Sequence, residues 1–191
     1  MSSLPDRPHL VISPGRGNSG PEHWQAYVEQ HWGDTSRVQQ SLWNWPTRYQ
    51  WVAGIERHVR PIERPMILVG HSAGALAIAE WALRGGSTQN VVAALLVAPP
   101  DMEGASRALP ALWFRRLIGW APISRQPLPF PSILVTSTND HYGEEPDLQK
   151  IGAGWGSKMI SLGESGHINH KSGYGPWPQV LEWIEDLSQV G

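Results

Sequence analysis

The chain has 191 residues, a formal net charge of −2 and no cysteine. Its length fits one domain with a sizeable core, and it has no basic block of the kind that binds nucleic acid. The lack of cysteine excludes disulfides and thiol catalysis, and no apolar run is long enough to span a bilayer. We therefore expect a single cytoplasmic domain over residues 1–191, flexible over residues 1–7, with no nucleic-acid or membrane partner.

The first predicted strand, residues 9–13, is followed by a glycine-rich loop over residues 14–20. Glycines let backbone N–H groups approach a ligand closely. Such a loop can bind a phosphate or hold negative charge that develops during a reaction. The phosphate alternative is disfavoured, because the loop lacks the Gly-Lys-Ser/Thr ending and the full dinucleotide spacing.

Two helices and a short strand are predicted next. The helices cover residues 22–32, ended by Gly33, and residues 47–59. The strand between them is predicted over residues 36–42. Two tryptophans follow this strand, and we expect Trp45 to line a pocket because an indole combines a large apolar area with an N–H donor.

The apolar run over residues 66–70 leads into the motif Gly-His-Ser-Ala-Gly and then into an alanine-rich helix over residues 75–83. A strand, G-x-S-x-G and a helix in this order predict a nucleophile elbow that exposes Ser72. The N–H groups of Ala73 and of Arg16, in the glycine-rich loop, are the predicted donors to an oxyanion.

The oxyanion donor in the glycine-rich loop has two alternatives, Gly17 and Asn18, since the sequence does not define the loop geometry. The serine also has an alternative: a bystander in a glycine-rich turn, as in nucleotide-binding folds. That alternative predicts no acid and no histidine at later strand ends.

After another predicted strand, residues 91–98, the chain makes a long excursion over residues 103–130. Within it we predict one short helix flanked by proline-rich loops. We expect the excursion to lie near the active site, with Trp113 in a pocket wall. A lid, a dimer contact and plain packing stay open as alternatives.

The last predicted elements are two strands, over residues 132–138 and 158–162, and two helices, over residues 146–155 and 176–190. Strands alternate with helices along the chain, which predicts an α/β fold with about six mostly parallel strands and helices on both faces. Ligands bind at the carboxyl ends of such strands. The glycine-rich loop, Ser72, Asp140 and His167 all fall there.

Ser72, His167 and Asp140 form a candidate catalytic triad. A serine hydroxyl is a poor nucleophile until a base takes its proton, and a carboxylate must hold the imidazole in the right tautomer. The order serine, aspartate, histidine is that of α/β-hydrolases. Asp101, which also follows a strand, is the alternative acid, and Asp140 would then only cap a turn.

The other histidines are given lesser roles. His71 is expected to be structural or to line the pocket, and His141 and His170 to tune the site or face solvent. His167-x-x-His170 could be half of a metal site, but no partner ligands are evident, so we expect no metal and no cofactor. The predicted substrate-binding residues are Asn18, His71, Trp45 and Trp113.

Several motifs carry a resemblance to a known family. They are Pro14-Gly15-x-Gly17 with His23-Trp24-Gln25, Gly70-His71-Ser72-Ala73-Gly74, Val97-Ala98-Pro99-Pro100-Asp101, Leu128-Pro129-Phe130-Pro131, Asn139-Asp140, and Gly166-His167-Ile168-Asn169 with Ser172-Gly173 and Trp177-Pro178. In this order they resemble the small α/β-hydrolases of the retinoblastoma-binding-protein serine hydrolase family, whose bacterial members were long described as a domain of unknown function. The resemblance implies a compact α/β-hydrolase without a large cap, with Ser72 as nucleophile, Asp140 as acid and His167 as base.

The predicted function is hydrolysis of a small ester through an acyl-enzyme, with an amide or thioester as alternative substrates. Members of the family that the chain resembles are described as serine hydrolases, and a eukaryotic relative also as a protein-binding factor. A hydrolase-fold interaction protein with little turnover is therefore the second hypothesis, suggested also by Leu112-Trp113-Phe114. A protein partner or a homodimer stays open.

Overall fold

A computed structural model of the chain describes residues 7–104 and 118–189. It contains a six-stranded sheet in the order β2-β1-β3-β4-β5-β6, and all neighbouring strands are parallel. The strands are β1 (His9–Ser13), β2 (Thr35–Arg37), β3 (Met66–His71), β4 (Val91–Val97), β5 (Ser132–Thr136) and β6 (Lys158–Ser161). The predicted parallel α/β sheet is confirmed.

The direction in which strands are added to the sheet reverses at β1. From β1 the chain first adds β2 on one side, and then adds β3 and the later strands on the other. The carboxyl ends of β1 and β3 therefore flank a topological switch point, which is where open α/β sheets bind their ligands.

Helices pack on both faces of the sheet, as predicted. The helices are α1 (Trp24–Trp32), α2 (Arg48–Val59), α3 (Ala73–Leu83), α4 (Glu145–Trp155) and α5 (Pro178–Ser188). Strand β3 shows how the faces are divided: Met66 and Leu68 pack with α2, α3 and α4, while Ile67 and Val69 pack with α1 and α5. Successive strand residues point to opposite faces, so a continuous apolar run is needed to fill both core layers.

Two element boundaries differ from the predictions for local reasons. Strand β2 ends at Arg37 rather than at residue 42, and only the N–H of Val38 still bonds to β1, at Ile12 O. Beyond it the buried amide of Gln40 donates to Trp51 O in α2, so the chain has left the sheet. Helix α5 begins at Pro178, because the preceding residue has a non-helical ψ of 82°.

The predicted excursion over residues 103–130 is described only at its ends, which are attached to the rest of the fold. Arg48 N donates to Ile118 O at 3.0 Å, and Ile123 N donates to a carboxylate oxygen of Glu103 at 2.8 Å. The short helix and Trp113 lie outside the described residues, as do residues 1–6. In the described ranges there is no large cap domain, and no helix has the length and apolarity needed to cross a membrane.

Candidate active site

The turn between β3 and α3 holds Ser72 in a strained conformation. Ser72 has φ 54° and ψ −126°, a backbone conformation that residues other than glycine rarely adopt. A Cβ at Gly70 would lie 2.6 Å from Ala75 Cα, and a Cβ at Gly74 would lie 2.2 Å from Ser13 O. Both glycines are therefore needed for the sharp change from strand to helix, which leaves Ser72 partly exposed at the sheet edge.

Ser72, His167 and Asp140 form one continuous hydrogen-bonded chain. The Ser72 Oγ lies 2.9 Å from His167 Nε2, and His167 Nδ1 lies 2.7 Å from Asp140 Oδ2. A carboxylate only accepts, so Nδ1 carries the proton and Nε2 of the neutral ring accepts from the serine hydroxyl. The side chain of Asp140 is fully buried and that of His167 is 14% exposed, which shields the pair from water.

The structure places Asp140, and not Asp101, at the histidine. The other oxygen of Asp140, Oδ1, accepts the N–H of Tyr142 at 2.9 Å, so the carboxylate is held at both oxygens. Asp101 is also buried, but its Oδ1 accepts the N–H of Glu103 in the turn after β4. Both acids follow strands, and only the folded geometry distinguishes them.

The histidine loop, residues 163–173, presents His167 through a network of hydrogen bonds. The Oδ1 of Asn139 accepts the N–H of Gly166 at 2.6 Å, and the hydroxyl oxygen of Ser172 accepts the N–H of His167 at 3.2 Å. The backbone that leads into His167 is therefore fixed by neighbouring side chains.

Two further histidines pack behind His167. His71 is buried and donates from Nε2 to His167 O at 3.0 Å, and its ring centroid lies 4.7 Å from that of His23. Burial lowers the pKa of His71 well below its usual value, and it lowers the pKa of His23 to about 3, with smaller contributions from His170 and Arg37. Both rings stay neutral near the base, and His71 supports the site from within the protein instead of lining a pocket wall.

The glycine-rich loop of residues 14–20 (the glycine loop) passes directly over the nucleophile. A Cβ at Gly15 would lie 2.9 Å from Ser72 Cβ and 3.3 Å from His71 Nδ1. Only a residue without a side chain permits this approach of the loop to Ser72.

The hydrogen bonds of the glycine loop separate the three candidate oxyanion donors. Gly17 N donates to Trp43 O at 3.0 Å, and Asn18 N donates to a carbonyl three residues earlier at 3.1 Å. Within the described part of the chain, no acceptor is found for the N–H of Arg16 or of Ala73. These two groups remain available to a ligand beside Ser72.

The other predicted site residues that the structure describes are exposed, and none of them has a hydrogen bond to the triad among the contacts described. Asn18 is exposed, and its Oδ1 accepts the N–H of Ser19 and a guanidinium N–H of Arg37. Trp45 is 53% exposed, and His141 and His170 are exposed. In residues 7–104 and 118–189 there is no cluster of three or more histidines and carboxylates that could hold a metal ion.

Tyr142 is a neighbour of the site that the sequence analysis missed. Its ring centroid lies 4.5 Å from that of His167, and the residue is 37% exposed. The signal available in the sequence was an aromatic residue two positions after the candidate acid. Its ring covers part of the imidazole at the solvent side of the site.

An open parallel sheet with a strained serine after β3, linked through a histidine to a buried aspartate, is the architecture of the α/β-hydrolases. A family model described as serine hydrolase matches residues 10–186, and the chain belongs to this family. The resemblance to a small serine hydrolase family that the motifs indicated is thereby confirmed.

Known structures share this fold over nearly the whole chain. A YdeN-like hydrolase from Pectobacterium atrosepticum is 29% identical, with a TM-score of 0.83 over 96% of this chain and 92% of that chain. The ydeN gene product of Bacillus subtilis is 14% identical, with a TM-score of 0.73 over 94% and 98% of the two chains. Est1E from Butyrivibrio proteoclasticus with bound ferulic acid is 12% identical, with a TM-score of 0.66 over 95% and 87%. No curated protein sequence matches the chain.

Proposed function

We propose that this serine hydrolase cleaves a small ester through an acyl-enzyme formed on Ser72, with His167 as base and Asp140 as the acid that orients it. The observation that supports the proposal most strongly is the unbroken hydrogen-bonded chain from Ser72 Oγ to the buried Asp140 carboxylate. A base within hydrogen-bond distance of the nucleophile, itself oriented by a third group, is the arrangement that activates a serine.

The first half of the reaction forms the acyl-enzyme. Ser72 Oγ attacks the carbonyl carbon while His167 Nε2 takes the hydroxyl proton, and Asp140 stabilises the imidazolium. The N–H groups of Arg16 and Ala73 hold the oxyanion of the tetrahedral intermediate. As the intermediate collapses, the bond to the leaving group breaks and that group takes the proton from His167.

The second half repeats the chemistry with water. His167 takes a proton from water, and the oxygen of this water attacks the acyl carbon. The second tetrahedral intermediate collapses, the carboxylic acid leaves, and His167 returns the proton to Ser72 Oγ.

A small ester is the favoured substrate because the described part of the chain places no large cap over the partly exposed Ser72. Amides and thioesters need the same two steps and stay alternatives. The cytoplasmic location of the protein stays a prediction. The second hypothesis, an interaction protein with little turnover, was suggested by a protein-binding relative and by residues 112–114, which lie outside the described residues.

The test is a set of kinetic measurements on an activated ester such as p-nitrophenyl acetate. Ser72→Ala and His167→Ala should each lower kcat by on the order of 10⁶-fold, and the double variant should lose little more, because residues of a triad act as a unit. His31→Ala, which removes an exposed histidine of α1, is the control and should keep full activity. Additive losses in the double variant would contradict the proposed roles.

A further inference from the structure

We infer that Gln25 is a positioning residue for the oxyanion hole: its buried side-chain amide fixes the spacing between the two segments that carry the backbone donors. The inference rests on the proposed function, since it concerns the same site. Gln25 lies in the first turn of α1, is fully buried, and does not reach the reacting atoms through any of its hydrogen bonds.

The amide nitrogen of Gln25 joins two neighbouring strands at their carboxyl ends. Nε2 donates to Ser13 O at 3.2 Å and to Val69 O at 3.1 Å. Ser13 is the last residue of β1, and Val69 lies in β3 two residues before its end. The two N–H groups of one rigid amide thus hold two carbonyls at a fixed separation.

Each of these carbonyls lies just before a predicted oxyanion donor. Ser13 precedes Arg16 by three residues, and Val69 precedes Ala73 by four. The same carbonyl of Ser13 also packs against Gly74, where a Cβ would lie only 2.2 Å away. The position of Ser13 O therefore determines how closely the glycine loop approaches the start of α3.

The amide oxygen of Gln25 attaches the far end of the glycine loop. Oε1 accepts the hydroxyl of Ser19 at 2.7 Å. Residues 14–18 are thus held at both ends by one side chain, through Ser13 O before them and through Ser19 after them. An oxyanion hole stabilises the transition state only if its donors are already in place, so this attachment should affect kcat more than substrate binding.

The test compares Gln25→Met with Gln40→Met. Methionine keeps the length of the side chain and removes the amide. Gln40 is the matched control, because it is also buried and its amide donates to a backbone carbonyl, Trp51 O, away from the triad. Folding is checked by circular dichroism and thermal unfolding, and kcat and KM are measured with p-nitrophenyl acetate.

The expected result for Gln25→Met is a fall in kcat of about 10- to 100-fold with KM nearly unchanged, somewhat less than the loss of an oxyanion donor itself. Affinity for an alkyl trifluoromethyl ketone, which forms an oxyanion on a serine nucleophile, should fall by a similar factor. Gln40→Met should leave kcat and the ketone affinity within about twofold of the wild type, because a substitution far from the site acts independently of it.

A folded Gln25→Met variant that keeps wild-type kcat and ketone affinity would overturn the inference, as would equal losses in Gln40→Met. If Gln25→Met does not fold, Ser19→Ala carries the test, since it removes only the attachment at the far end of the loop. It should lower kcat with KM unchanged, and an unchanged kcat would overturn the inference. A wild-type protein that neither hydrolyses the ester nor binds the ketone would refute the proposed function, and this inference with it.

Discussion

The glycine loop and the histidine loop approach Ser72 from two sides and contribute to the site in different ways. The glycine loop offers a backbone N–H, and its closeness depends on the missing side chain of Gly15. The histidine loop offers a side chain, whose orientation depends on Asp140 and on hydrogen bonds to the backbone around it. The first loop should therefore be sensitive to added volume, and the second to changed hydrogen-bonding chemistry.

Among substitutions that leave Ser72 and His167 in place, the largest effect is expected where the hydrogen-bonding chemistry at the histidine is changed. Asp140→Asn keeps the shape of the side chain but offers an N–H in place of a carboxylate oxygen, and it no longer favours the reactive tautomer of His167. We expect kcat to fall by about 10⁴-fold. Asp101→Asn, at the buried acid of the β4 turn, is the control in the same ester assay and should stay within about tenfold of the wild type. Equal losses in the two variants would mean that the acids share the role.

A smaller effect is expected where volume is added to the glycine loop. Gly15→Ala places a Cβ 2.9 Å from Ser72 Cβ, so the loop must move away and carry the Arg16 N–H with it. We expect kcat to fall by about 10²- to 10³-fold, the range for losing one oxyanion donor, with a smaller change in KM. Gly20→Ala adds the same methyl group where no atom lies within 4 Å, and it should be nearly silent. Wild-type kcat in Gly15→Ala would show that the loop does not contribute a donor.

The last prediction concerns folding stability instead of catalysis, at the buried His23 and His71, which pack behind His167. The pKa of His23 is about 3 when the protein is folded and near 6.5 when it is unfolded, so the unfolded state binds more protons between these values. Stability should therefore be fully present above pH 6.5 and should fall as pH decreases toward 3, by up to about 1.4 kcal/mol per pH unit for this group. His71, whose pKa is also lowered, adds to the same trend.

Urea unfolding at several pH values between 7 and 4 measures this contribution. In His23→Asn an amide replaces the titrating ring and still offers an oxygen to the N-terminus of α1, where Nδ1 of His23 now accepts the N–H of Gln25. The variant should lose less stability on acidification than the wild type. His31→Asn, at an exposed histidine of the same helix, is the control and should follow the wild-type dependence of stability on pH. Parallel curves for wild type and His23→Asn would contradict the lowered pKa.

The two loops also differ in how much of their role the sequence could predict. Ser72, Asp140 and His167 were predicted as a triad, because each follows an apolar strand and parallel strands bring their carboxyl ends to one edge. The choice among three oxyanion donors could not be made from the sequence. It depends on Trp43 O, which accepts the N–H of Gly17 from another part of the chain, and on the turn in which Gly15 O accepts the N–H of Asn18.

Contacts between distant segments explain the other differences from the sequence predictions. The pairing of His71 with the carbonyl of His167 joins residues 96 positions apart, and no local pattern indicates it. The early end of β2 depends on the amide of Gln40 bonding to α2. The packing of Tyr142 on the imidazole depends on the turn that Asp140 Oδ1 stabilises.

Labelling of the folded protein with a fluorophosphonate probe, followed by peptide mapping, tests most directly whether Ser72 is an activated nucleophile. Such probes phosphonylate serines that have a working base and oxyanion hole. We expect a single labelled peptide that contains Ser72, and no label in Ser72→Ala. Folded protein that stays unlabelled at Ser72, or equal labelling of Ser72→Ala, would contradict this expectation.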